Sequence, residues 1–135
     1  MHNIKLPRQS WRIIHAQLSN PEGWCKSTKT YKAVFSLLEK KELEGLDEVI
    51  IPQSSEQAKQ ILESETSLTD NQTCVLKLCI EPDGLKNWLN EELEIEISES
   101  ERDAVKLCLN TRIESGLLPV QPKYMNPIFK SFGLE

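Results

Sequence analysis

Glycine is scarce in this chain, with five in 135 residues. None falls into a Gly-x-Gly-x-x-Gly or P-loop pattern, so the sequence offers no backbone cradle for a phosphate. Gly-x-Ser-x-Gly is missing too, and with it the strained turn that exposes a nucleophilic serine. The two histidines, His2 and His15, stand alone. None of the four cysteines belongs to a Cys-x-x-Cys pair, the short spacing that a zinc site needs, so neither a metal nor another cofactor is expected. No apolar run is long enough to span a membrane. Ile4 and Leu6 are isolated among polar residues, which is not the pattern of a secretory leader. Asn71-Gln72-Thr73 then reads as a chance glycosylation match, and the cytoplasm is the expected compartment.

What is present is ordinary globular composition: 39% hydrophobic and 27% charged residues. The length fits one domain able to bury its own core. Cys74, Cys79 and Cys108 sit inside apolar patterns and read as buried, reduced thiols. Cys25 lies outside such a pattern, with His15 ten residues before it, a weak basis for a Cys–His pair.

Taken in order, Met1 to Pro7 reads as an extended entry. Ser10 to Leu18 reads as a helix that gathers Trp11, Ile14 and Leu18. Asn20-Pro21-Glu22-Gly23 is a turn. Thr28 to Leu43 carries Tyr31, Val34, Phe35 and Leu38 at helical spacing, with Ser27 or Thr28 as the cap and Gly45 as a left-handed stop. Val49-Ile50-Ile51 reads as a short strand. Ser54 to Ser64 reads as a helix opened by a Ser54/Gln57 capping box. Thr66 to Gln72 is polar and reads as a loop.

The clearest signals lie between Thr73 and Gly116. Thr73 to Ile80 reads as a buried strand, and Asp83 caps a short helix with Leu85, Trp88 and Leu89 inward. Leu93, Ile95 and Ile97 alternate with Glu92, Glu94 and Glu96, the period of two of a strand with one wet face. Ser98 and Glu101 make a capping box for a helix whose apolar side is Ala104, Val105, Cys108, Leu109 and Ile113, ending near Gly116. Pro119, Pro122 and Pro127 argue against much regular structure beyond, although Ile128, Phe129 and Phe132 could share one helical turn. The expected fold is α+β (or small α/β). It is a single domain over residues 1–118, with about three short strands and four to five helices packed on the sheet. Residues 119–135 form a Pro-containing apolar tail.

Function is less legible. Glu91, Glu92, Glu94, Glu96, Glu99, Glu101 and Asp103 are a dense set of carboxylates. They alternate outward on a strand and cluster at a helix start, which is the pattern of a solvated face rather than of an acid–base pair in a cleft. Charge is asymmetric. Residues 1–41 hold eight Lys/Arg against two glutamates, a net of +6, and residues 42–135 hold eight against nineteen acids, a net of −11. Three readings compete. In the first, the halves neutralise each other. In the second, an acidic face of Glu92, Glu94, Glu96 and Glu99 meets a basic protein. In the third, Arg8, Trp11, Arg12, Lys29 and Lys32, with Lys26, Trp24 and Tyr31, contact nucleic acid, against the handicap of an acidic whole. The tail adds Tyr124, Met125, Ile128, Phe129, Phe132 and Leu134, more apolar surface than a solvated terminus keeps. It either packs back on the domain or docks on a partner or a second copy. The sequence thus favours a non-enzymatic binding or regulatory protein acting through protein–protein contacts. A nucleic-acid-binding protein is the alternative, and a small enzyme of unknown reaction the third reading.

Overall fold

The computed structural model describes residues 1–19, 27–116 and 122–134. The expected turn at Asn20–Gly23, the indole of Trp24, Cys25, Lys26 and the start of the tail at Leu117–Gln121 lie outside the described residues. The chain forms two compact units, one from Met1–Glu44 with Glu92–Glu135 and one from Gly45–Glu91.

The first unit is built on two strands from opposite parts of the sequence. β1 (His2–Pro7) pairs antiparallel with β2 (Glu92–Ile97), with Ile4 opposite Ile95 and Leu6 opposite Leu93. The alternation decides which face is wet. Ile4, Leu6, Ile95 and Ile97 are buried, while Asn3, Lys5, Glu92, Glu94 and Glu96 are exposed. Four helices complete the unit: α1 (Arg8–Leu18), α2 (Thr28–Leu38), α6 (Glu99–Glu114) and α7 (Pro122–Phe132). α1 sends Trp11, Ile13, Ile14 and Leu18 into the core. α2 buries Ala33, Val34 and Leu37 and packs along α6, which buries Ala104, Val105, Cys108 and Leu109.

The tail corrects one expectation. Pro122 sits in the first helical turn, where a missing N–H costs nothing, and an eleven-residue helix follows despite Pro127 inside it. α7 packs on α1, β1 and α6, burying Met125, Ile128 and Phe132. The turn that Pro127 weakens is held from outside: the buried Ser10 hydroxyl donates to the Tyr124 carbonyl at 2.7 Å.

The second unit contains α3 (Ser55–Ser64), α4 (Asp70–Ile80) and α5 (Gly84–Asn90). α3 and α4 pack together, with Ala58, Val75 and Leu76 buried. The expected α+β fold with three strands is therefore overturned. Among the described residues the chain is mostly helical, with one two-stranded antiparallel sheet.

Two of the expected strands are not strands. Thr73–Ile80 is α4, because Thr69 and Gln72 form a complete capping box one turn earlier. That box satisfies helical N–H groups and starts the helix inside the stretch read as a polar loop. At helical spacing Val75, Leu76, Cys79 and Ile80 share a side, and Pro82 stops the helix. Gln72 also donates to the Glu48 carbonyl at 2.7 Å, fixing α4 to the preceding turn. Val49–Ile51 forms no strand, although Val49 is extended, and Ile51 is exposed.

Asp83 does not cap α5. It takes the left-handed conformation itself, φ 56°, with no side-chain cap bond. Gly84 is needed for space, since a Cβ there would collide with the Leu78 carbonyl. Cys74 is exposed rather than inward. Cys79 is half-buried, and burial pushes its thiol pKa up, which keeps it a poor nucleophile at neutral pH.

Candidate protein-contact surface on helix α2

Ser27 accepts from the Thr30 amide and starts α2, as its sequence foretells. Four apolar residues were expected inward on this helix, but only part of that band is buried. Stepping about 100° per residue, Ala33, Val34 and Leu37 point one way, and Lys32, Phe35 and Glu39 point nearly the opposite way. Tyr31 and Phe35 are each 51% exposed. Their rings lie 5.7 Å apart between centroids and tilted by 34°, an i, i+4 aromatic pair held on the outside of the helix. Lys32, Ser36 and Glu39 complete the surround of a shallow hollow of about 360 Å³.

The acidic row is positioned as expected. Glu92, Glu94, Glu96 and Glu99 are all exposed. β1 supplies its nearest counter-charge: Lys5 lies opposite Glu94 in the register and forms an ion pair with Glu92 at 3.5 Å. Both partners are over half exposed, so the pair adds little stability. Glu101 does not belong to this wet set. It is 4% exposed and closes the α6 capping box, accepting from the Ser98 amide at 2.7 Å, with Lys40 Nζ 3.4 Å from its other oxygen.

The tail residues are divided. Ile128 and Phe132 are fully buried, so their apolar surface is spent inside the unit, while Tyr124 and Phe129 are half-buried. Of the residues read for nucleic acid, Trp11 is not at the surface. Trp11 is fully buried and its indole N–H donates to the Leu93 carbonyl at 2.8 Å, so it has no face for a base. Arg12 is half-buried, bonds the Gln9 side chain at 3.1 Å, and burial lowers its pKa. Arg8 is half-buried, and Lys29 and Lys32 are exposed on α2. His15 is buried.

Among the described residues no cluster of three His, Cys, Asp or Glu could hold a metal ion. No helix among them is long and apolar enough to cross a membrane. Comparison with protein-family models, with curated proteins and with solved structures yields no match.

The sequence counted Phe35 among the inward residues and did not single out Ser36 or Glu39. The signal was present but ambiguous: α2 carries two adjacent apolar lines, 33/34/37 and 31/35. A band wider than one face must leave one line outside.

Proposed function

We propose that the chain is a non-enzymatic binding or regulatory protein that acts through protein–protein contacts, and that the outer face of α2 is its contact surface. One observation carries this reading: Tyr31 and Phe35, two large aromatics, stand half exposed as a tilted ring pair outside the buried side of α2. Tyr and Phe are enriched at interface centres because they bury much apolar area for little loss of side-chain freedom. The polar surround of Lys32, Ser36 and Glu39 has the form of an interface rim. The acidic row on β2 supports the same class of function more weakly. Lys5 and water already answer its charge, and such a row also keeps a short exposed sheet from pairing with stray strands.

The test is a photo-crosslinking amino acid at position 35, with position 59 on α3 as an exposed control, in cells expressing the full chain. The expected result is a discrete protein adduct from position 35 that position 59 does not give. No adduct from either position would sink the proposal.

A further inference from the structure

The outer face of α2 is complementary to itself. Lys32 and Glu39 are seven positions apart, two helical turns, so they lie on one line about 10 Å from each other. Both are exposed, and neither forms an ion pair among the described residues. Phe35 and Ser36 stand midway, on either side of that line, and the Tyr31 ring lies tilted against that of Phe35.

A twofold axis through the midpoint, pairing two copies of α2 antiparallel, sets Lys32 of one copy against Glu39 of the other. By symmetry the contact forms twice. The same operation brings Phe35 against its own counterpart. It leaves the small Ser36 on the other flank, where it lets two helices approach to the usual 8–10 Å. We propose that this face is a homodimer interface and that its occupant is a second copy of this chain. The proposal rests on the protein-contact reading above and adds the partner.

The charge pattern selects that occupant. A patch for a basic or an acidic partner carries one sign. The lining of this hollow carries one charge of each sign, equally distant from Phe35 and Ser36, as an isologous contact requires, with Lys29 on its flank. The nearby Lys40 does not disturb it, being engaged with Glu101. A single helix face buries less than a standard interface, so the dimer is weak, with a dissociation constant of about 10–100 µM.

Analytical ultracentrifugation of the full chain tests this. The mass is expected to rise from 15.5 kDa toward twice that value with concentration, and to fall back as salt is added. Lys32→Glu places Glu against Glu, and Glu39→Lys places Lys against Lys. Each weakens the dimer by about tenfold or more, since the symmetric contact is lost twice. Mixing the two single variants is expected to give a heterodimer tighter than either homodimer, and the double variant K32E/E39K recovers self-association. Both positions are exposed, and circular dichroism checks that each variant keeps its helices.

A wild-type chain that stays monomeric at about ten times the expected dissociation constant overturns the proposal. So does a mixture of single variants that associates no better than its components. A monomeric chain whose position-35 crosslinker captures some other protein overturns the homodimer but leaves the protein-contact reading standing. A monomeric chain with no adduct ends both.

Discussion

Trp11 joins α1 to β2 with a single atom. Its ring is fully buried in the first unit, and its N–H donates to the Leu93 carbonyl of the strand. Trp11→Phe keeps most of the ring and deletes that donor. The expected loss is about 1–3 kcal/mol, the cost of stranding a desolvated carbonyl, read as a lower urea midpoint with an unchanged slope. Unchanged stability would show that the bond contributes nothing. This partnership was not legible in the sequence, since its members are 82 positions apart. The caps were legible, because each concerns neighbours within one turn. Ser27, Ser54 and Ser98 all accept from the amide three residues on. Gln57 departs by one step, bonding the amide of Gln53 rather than that of Ser54.

Between elements, the start of α6 is tied to the end of α2 by one carboxylate with two duties. One oxygen of Glu101 completes the capping box and the other meets Lys40. Lys40→Met leaves a nearly buried carboxylate without its cation, and about 1–3 kcal/mol of stability is expected to go. In Lys40→Met/Glu101→Gln the uncharged glutamine still reaches the Ser98 amide, so most of that loss should return. Thermal melts of the two single variants and the double one measure the coupling, and additive losses would refute it. Element type was readable where the apolar period was strict, as in β2 and α6. It failed at Thr73–Ile80, where eight mostly apolar residues fit both a strand and one side of a helix. There the decisive information lay upstream, at Thr69 and Gln72, in residues set aside as a loop. The exposed aromatic pair on α2 was missed for a related reason. Periodicity reports how wide an apolar band is, not which edge of it the neighbouring helix will cover.

At the level of the molecule, the first unit draws its sheet from residues 2–7 and 92–97. Deleting residues 1–7 removes Ile4 and Leu6 from the core and leaves β2 without a partner. Each buried side chain contributes about 2–5 kcal/mol against a total of about 5–15, so the truncated chain is expected to lose its cooperative thermal transition. A sharp melt close to that of the intact chain would contradict the assigned pairing. The distant pairing is also why the fold class was misjudged. The expected extended entry is present, but nothing local says that its partner is the Glu-rich strand, or that the two are alone.

The same arrangement has a consequence for synthesis. Ile4 leaves the ribosome 91 residues ahead of Ile95, the residue it faces. At about 5–20 residues per second, β1 waits roughly 5–20 s for its mate. Throughout that interval the nascent chain carries Ile4, Leu6, Trp11 and Ile14 without the strand and helices that later cover them. A vectorially made chain of this topology must shelter its first twenty residues before it can use them.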